Sequence, residues 1–210
     1  MPAASTPPAQ WWLVRHTPPR VEAGVCYGRS NLAVNPTEVE ALAQQLSACW
    51  SAQNVPTLVC SSVLQRCERL TSILQGLHAN LTVEFFPGLQ EMDFGCWEGR
   101  AWSELPVDEL QAWTDDFAQY RCGGGESVAH FMARVAQAQA AAWAQAQALG
   151  CPRLVWVTHA GVIRALTLLR LGVDCPQQAE LWPANAPGYG QWWCWTPAWA
   201  DRHGAGVLVL

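Results

Sequence analysis

The sequence WWLVRHTPP occupies residues 11–19, near the start of the chain. Its four apolar residues run directly into Arg15 and His16, and two prolines follow after Thr17. An apolar run bounded by chain breakers predicts a buried β-strand that ends abruptly. Ligands of open α/β sheets bind outside the carboxyl ends of the strands. We therefore interpret Arg15 as part of a phosphate clamp and His16 as a nucleophile. Because Arg-His pairs also arise by chance, this interpretation depends on the rest of the chain.

The composition predicts a folded protein with a substantial core. The chain has 210 residues, 50% of them hydrophobic, which fits one domain and excludes a mainly disordered protein. The net charge is −5 and no basic run occurs, so nucleic acid is not an expected partner. No apolar stretch reaches the roughly 18 residues that span a membrane, and we expect no membrane association. No feature of the sequence predicts the oligomeric state.

The domain prediction is a loose N-terminal tail over residues 1–10 and one domain over residues 11–210. The tail has neither the basic start nor the apolar core of a signal peptide. The 9 cysteines form no C-x-x-C pair, so their spacing indicates neither a disulfide framework nor a zinc site. We expect reduced, mostly buried thiols in a cytoplasmic protein.

Strand-like and helix-like segments alternate along the remaining chain. Further strands are predicted at 57–60, 81–85 and 154–158, with two more at 191–195 and 206–210 that extend an antiparallel edge. Helices are predicted from Thr37, behind Ser62 and from His159, the first two with capping-box spacing to Glu40 and Gln65. The segment at about 102–150 is predicted to be a helical insertion that covers one end of the sheet. This alternation predicts an α/β protein whose sheet is mainly parallel, with helices on both faces.

Polar side chains that suit phosphate chemistry follow several of these strands. His159 comes directly after the strand at 154–158, and Arg66 lies in the first turns of the helix behind Ser62. The loop after the strand at 81–85 carries three carboxylates, Glu91, Asp93 and Glu98. Since the carboxyl ends of parallel strands share one edge, these groups are expected to converge with Arg15 and His16.

This set of side chains has a definite use in phosphoryl transfer. Arginine presents a fixed, permanently charged fork to phosphate oxygens. An imidazole with an ordinary pKa near 6.5 is available in its neutral, nucleophilic form at pH 7. A carboxyl group can protonate the leaving alkoxide and later take a proton from water. With that charge supplied by side chains, neither a metal nor another cofactor is required.

The motifs together resemble the histidine phosphatase superfamily, in its phosphoglycerate-mutase-like branch. The resemblance covers nearly the whole chain and is carried by RHT at 15–17, SSVLQR at 61–66, LQEMDFGCWEG at 89–99 and THAG at 158–161. The segment GES at 125–127 also resembles one that opens a helix in many members. The resemblance implies a three-layer α/β/α sandwich with a helical insertion and no metal.

Site roles follow from the resemblance one residue at a time. It implies that His16 becomes a phosphohistidine and that Glu91 is the proton donor. It implies that Arg15, Arg66 and His159 bind the phosphate oxygens. The chain departs from the common pattern at Thr17, where many members have glycine, and it lacks an asparagine that the mutases carry a few residues later.

The loop after the first strand points to a substrate class. RHTPP at 15–19 followed by GVCYGR at 24–29 resembles α-ribazole phosphatases, which remove the 5′-phosphate of α-ribazole phosphate in cobalamin biosynthesis. Tyr27, Arg29 and Trp97 are candidates for contact with the aromatic base, with packing as the alternative. A small-molecule phosphoester is therefore the expected partner. The alternatives are a phosphatase or mutase for a sugar phosphate or phosphoglycerate, and a non-catalytic phosphate-binding domain.

Overall fold

A five-stranded sheet forms the centre of the computed structural model, which describes residues 8–51 and 55–196. The strands are β1 (Gln10–Arg15), β2 (Thr57–Ser61), β3 (Leu81–Phe85), β4 (Arg153–Thr158) and β5 (Trp192–Trp195). Their spatial order is β3-β2-β4-β1-β5, with β1 to β4 parallel and β5 antiparallel to β1. The predicted mainly parallel sheet with an antiparallel edge is confirmed. The strand predicted at 206–210 and most of the predicted tail lie outside the described residues.

Helices cover both faces of the sheet and make three layers. The helices are α1 (Pro36–Ser51), α2 (Gln65–Leu77), α3 (Val107–Asp115), α4 (Val128–Ala148) and α5 (Ala160–Arg170). In β1, Trp11 and Leu13 pack in the core with α4 and α5, whereas Trp12 and Val14 pack in the core with α1 and α2. Alternate residues of a strand point to opposite faces, so a strand covered on both sides needs an unbroken apolar run.

The segment predicted as a helical insertion contains two helices with different positions. α4 packs along one face of the sheet through Phe131, Val135 and Ala138, which are buried in the same core as Trp11. α3 has no buried residue, and its partly buried Leu110 and Trp113 pack against the outside of that core. α4 is therefore one of the outer-layer helices rather than a cover at the end of the sheet.

Both predicted capping boxes are wrong. α1 begins at Pro36, and the Oδ1 atom of Asn35 accepts a hydrogen bond from the N–H of Thr37 at 3.1 Å. Proline suits the first helical position because it has no N–H to leave unpaired. The residue directly before it, Asn35, is therefore the N-cap. α2 begins at Gln65, with Leu64 at the N-cap and no capping side chain. In the described residues no helix is long and apolar enough to cross a membrane. The cytoplasmic location stays a prediction.

Candidate active site

A cavity of about 310 Å³ opens at the carboxyl edge of the sheet. Four of the five predicted site residues line it: Arg15, His16, Arg66 and Glu91. They come from the end of β1, the first turn of α2 and the loop that follows β3. The expected convergence of these segments on one edge is therefore present in the fold.

His16 is held as a neutral imidazole with one nitrogen free. The ring is 2% exposed, and its Nδ1 lies 2.6 Å from the carbonyl oxygen of Thr17. A carbonyl can only accept, so Nδ1 carries the proton and Nε2 keeps its lone pair. Burial lowers the pKa of His16 well below its ordinary value, and the charges of Arg66 and Arg15 lower it further, against the opposing effect of the Thr17 hydrogen bond. The imidazole is therefore neutral at pH 7, with a single proton on Nδ1.

Arg66 is fully buried and oriented by main-chain carbonyls. Its two terminal nitrogens donate to the carbonyl oxygens of Ser30, at 2.6 Å, and Gly28, at 2.5 Å. Its Nε donates to Nδ1 of His159 at 3.2 Å. The loop after β1 thus fixes the direction of a guanidinium that enters from the first turn of α2. A Cβ on Gly28 would lie 1.8 Å from the carbonyl oxygen of Met92, so this loop also packs directly against the loop that carries Glu91.

Arg15 is oriented by the segment that precedes β5. Its Nη1 donates to the carbonyl oxygen of Pro187 at 3.0 Å, and its guanidinium carbon lies 3.8 Å from the ring centroid of Tyr189. Stacking on an aromatic face leaves the edge of the guanidinium available for a ligand. The buried Nε of Arg15 has no hydrogen-bond partner among the described residues. The hydroxyl of Tyr189 also forms a hydrogen bond with that of Tyr27, which lines the cavity.

His159 lies beside the cavity but does not line it. Its ring centroid is 5.0 Å from that of His16. Its Nδ1 accepts from Arg66, and its Nε2 lies 2.9 Å from the hydroxyl of Ser62. Burial and the charge of Arg66 lower its pKa well below the ordinary value. Both nitrogens therefore have protein partners, and a direct contact between His159 and phosphate stays a prediction.

Glu91 is held against the beginning of α5. Its Oε2 accepts from the N–H of Gly161 at 2.9 Å, and its Oε1 accepts from the N–H of Met92 at 3.2 Å. Free N–H groups in the first turn of a helix favour a carboxylate nearby. Of the three carboxylates in this loop, Glu91 alone lines the cavity. Glu98 instead binds the N–H groups of Arg29 and Ser30, and Asp93 pairs with Arg29 at 3.4 Å.

The remaining wall of the cavity is aromatic and apolar. It includes Phe94, Trp113, Phe117, Phe131 and Trp182. Of the three candidates for contact with a base, only Tyr27 lines the cavity. Trp97 is fully buried, and Arg29 lies at a separate opening.

Arg164 is a cavity residue that sequence reasoning missed. It lines the wall one turn into α5, donates through Nη2 to the carbonyl oxygen of Ala184 at 3.1 Å, and has a buried Nε without a partner in the described chain. The signal that could have found it is its spacing, three residues after Gly161 on the same helix face. No group of three or more His, Cys, Asp or Glu side chains within 8–51 and 55–196 is arranged to hold a metal ion.

The fold is that of the phosphoglycerate-mutase-like α/β proteins, with the cavity at the edge where that architecture binds ligands. The chain belongs to the histidine phosphatase superfamily (branch 1), whose sequence model matches residues 11–186. No curated protein matches the sequence significantly.

Several solved structures share the fold at low sequence identity. A mycobacterial glucosyl-3-phosphoglycerate phosphatase is 24% identical, with a TM-score of 0.70 and coverage of 89% of both chains. The α-ribazole phosphatase of Shigella flexneri is 24% identical, with a TM-score of 0.70 and coverage of 88% of this chain and 89% of that one. A putative α-ribazole-5′-P phosphatase of Escherichia coli is 21% identical, with a TM-score of 0.67 and coverage of 89% of both chains.

Proposed function

We propose that the protein is a phosphatase that hydrolyses a small phosphomonoester through a phosphohistidine on His16. The observation that carries this proposal is the contact of 2.6 Å between Nδ1 of His16 and the Thr17 carbonyl oxygen, which defines the tautomer of the ring. Its Nδ1–H donates to the Thr17 carbonyl, so the Nε2 lone pair belongs to a neutral imidazole inside a cavity that is also lined by three arginines. Such an imidazole attacks phosphorus without first losing a proton.

The reaction proceeds in two displacements. Nε2 of His16 forms a bond to phosphorus while the bond from phosphorus to the alcohol oxygen breaks, and protonated Glu91 gives its proton to that oxygen. The Glu91 carboxylate then takes a proton from water as the water oxygen attacks phosphorus and the N–P bond breaks. Arg15 and Arg66 stabilise the charge on the non-bridging oxygens in both steps. Inorganic phosphate leaves, and Glu91 is protonated again.

The favoured substrate is α-ribazole 5′-phosphate, an intermediate of cobalamin biosynthesis. Its leaving group combines a ribose with an apolar aromatic base. The cavity combines a cationic end with a wall that contains Trp113, Phe117 and Trp182. Aromatic side chains bind a planar base by stacking and by excluding water. The loop sequence RHTPP at 15–19 supports the same choice.

One observation favours a second candidate, an acidic substrate such as phosphoglycerate or its glucoside. Arg164 adds a third cation to the cavity, and its Nε lacks a partner among the described residues. A guanidinium at this position could bind a carboxylate of the leaving group. Comparison of kcat/KM for α-ribazole 5′-phosphate and 3-phosphoglycerate separates the two candidates. A preference for the second substrate would overturn the α-ribazole assignment.

Trapping of the intermediate tests the reaction itself. The protein is mixed with ³²P-labelled substrate, quenched in alkali and examined for protein-bound phosphate that is stable to base and labile to acid. We expect one labelled site in the wild type and none in His16→Ala. Arg69→Gln, on the exposed face of α2, is the matched control and should label normally. An unlabelled wild type would favour a phosphate-binding domain. Hydrolysis retained by His16→Ala would favour another nucleophile.

A further inference from the structure

Arg134, on α4, is joined to the loop that carries Glu91. Its Nη1 donates to the carbonyl oxygens of Gly88, at 2.9 Å, and Gln90, at 2.8 Å. Its Nη2 donates to the carbonyl oxygen of Glu91 itself at 3.1 Å. These bonds use only main-chain carbonyls, so Arg134 does not occupy the Glu91 carboxylate, which lines the cavity. One side chain therefore fixes the main chain on which the proposed proton donor is mounted.

Glu126 holds Arg134 in this orientation. Its two carboxylate oxygens accept from Nε and Nη2 of Arg134, both at 2.8 Å. A bidentate pair of this kind fixes the plane of the guanidinium as well as its position. The pair is shielded, with side-chain exposures of 24% for Arg134 and 15% for Glu126. Glu126 also accepts from the N–H of Asp93 at 3.4 Å, two residues beyond Glu91.

Two glycines bring Glu126 close enough to do this. A Cβ on Gly123 would lie 2.3 Å from the carbonyl oxygen of Phe94, and a Cβ on Gly125 would lie 2.4 Å from that of Asp93. The two loops therefore pack backbone against backbone, and the N–H of Glu126 donates to the Asp93 carbonyl at 2.8 Å. The GES segment thus supplies both the contact that joins the loops and the partner of Arg134.

We propose that Arg134, oriented by Glu126, is a positioning residue for Glu91. By fixing the carbonyls at 88, 90 and 91, it keeps the Glu91 carboxylate at the first turn of α5 and inside the cavity. Arg134 and Glu126 do not line that cavity, and instead border a separate opening together with Gln90 and Asp93. They act on the reaction only through Glu91, so the inference rests on the proposed role of Glu91 as proton donor.

The leaving group provides the test. Expulsion of an alkoxide from α-ribazole 5′-phosphate needs the proton of Glu91, whereas the nitrophenolate of p-nitrophenyl phosphate leaves without it. Rapid-quench measurement of phosphoenzyme formation isolates this step for both substrates. For Arg134→Gln we expect a loss of about 30-fold with α-ribazole 5′-phosphate and of less than about threefold with p-nitrophenyl phosphate, within the range of general acid catalysis. Arg69→Gln is the control and should match the wild type.

A double-mutant cycle separates positioning from a purely structural role. In a Glu91→Gln background, Arg134→Gln should cause little further loss with α-ribazole 5′-phosphate, because no proton donor remains to be positioned. Equal losses on the two substrates, or additive losses in the cycle, would overturn the inference. Should Arg134→Gln fold poorly, Glu126→Gln tests the same network and is expected to show the same dependence on the leaving group.

The two proposals fail in different ways. A wild type that forms no phosphohistidine from either substrate contradicts the proposed function and the inference with it. A wild type that forms the intermediate, together with an Arg134→Gln variant that slows both substrates equally, contradicts the inference alone.

Discussion

The carboxylate of Glu91 occupies the space that a side chain at position 161 would need. The N–H of Gly161 donates to its Oε2 at 2.9 Å, and a Cβ built on Gly161 would lie 2.1 Å from its Oε1. The backbone of α5 can bind the carboxylate this closely only where it carries no side chain. Gly161 therefore helps to hold the proposed proton donor in place, because it leaves room for the Glu91 carboxylate and donates a hydrogen bond to it.

Gly161→Ala should displace Glu91 with little effect on stability. The atom that must move is the end of a flexible side chain, so we expect a thermal midpoint close to that of the wild type. Alanine also suits a helix better than glycine does. Phosphoenzyme formation should fall about tenfold with α-ribazole 5′-phosphate and less with p-nitrophenyl phosphate. An unchanged rate with the first substrate would show that Glu91 acts from another position.

The rate of phosphoenzyme formation should begin to fall with acid only well below pH 6.5. Burial and the charges of Arg66 and Arg15 lower the pKa of His16, so the nucleophilic neutral form persists as the pH falls. We expect phosphoenzyme formation from p-nitrophenyl phosphate to stay constant from pH 7.5 to below 6.5. We choose p-nitrophenyl phosphate because its leaving group does not need the proton of Glu91, so the pH–rate profile reports mainly on His16. Arg66→Met should move the fall in rate to higher pH, since it removes the positive charge that lowers the pKa of His16 most. A wild-type rate that already falls at or above pH 6.5 would contradict the environment described for His16.

The same burial should make folding stability depend on pH. His16 and His159 have lowered pKa values in the folded state and ordinary values near 6.5 when unfolded. Above pH 6.5 both states hold them neutral, and stability does not depend on their titration. Below pH 6.5 the unfolded state binds more protons, so the free energy of unfolding falls by up to about 1.4 kcal/mol per pH unit for each histidine. Urea titrations at pH 7.5, 6.5 and 5.5 measure this slope, which should be shallower in the doubly substituted His16→Gln, His159→Gln protein.

How far the sequence predicted the site can be traced to particular residues. Arg15, His16 and Arg66 follow apolar runs, and the rule for parallel sheets places such positions on one edge. Glu91 could be separated from Asp93 and Glu98 only by resemblance, because all three stand in one irregular loop. Its position depends on a contact with Gly161 that lies 70 residues away along the chain.

Residues held by long-range contacts were beyond the sequence patterns. Tyr189 stands in an irregular segment with no periodicity, yet its ring stacks on Arg15. Ser62 is predicted as a helix cap, but Leu64 takes the N-cap position, and the Ser62 hydroxyl both accepts from the N–H of Leu64 at 3.3 Å and hydrogen-bonds His159. Capping spacing depends on a few neighbouring residues, so tertiary contacts of the same side chain override it easily.

The aromatic wall of the cavity should determine which alcohol the protein accepts. Trp113 lines the cavity from α3 and is the largest of its partly exposed aromatic rings, together with Trp182. Trp113→Ala should raise KM for α-ribazole 5′-phosphate about tenfold, the amount expected for the loss of one aromatic stacking contact. Ribose 5-phosphate is the matched substrate because it keeps the phosphate and the sugar but has no base, and its KM should change much less. Trp113→Phe should retain most of the affinity, since a smaller ring still stacks. A parallel rise in KM for both substrates would mean that Trp113 shapes the phosphate site as a whole, and would remove the aromatic wall as an argument for a nucleoside-like substrate.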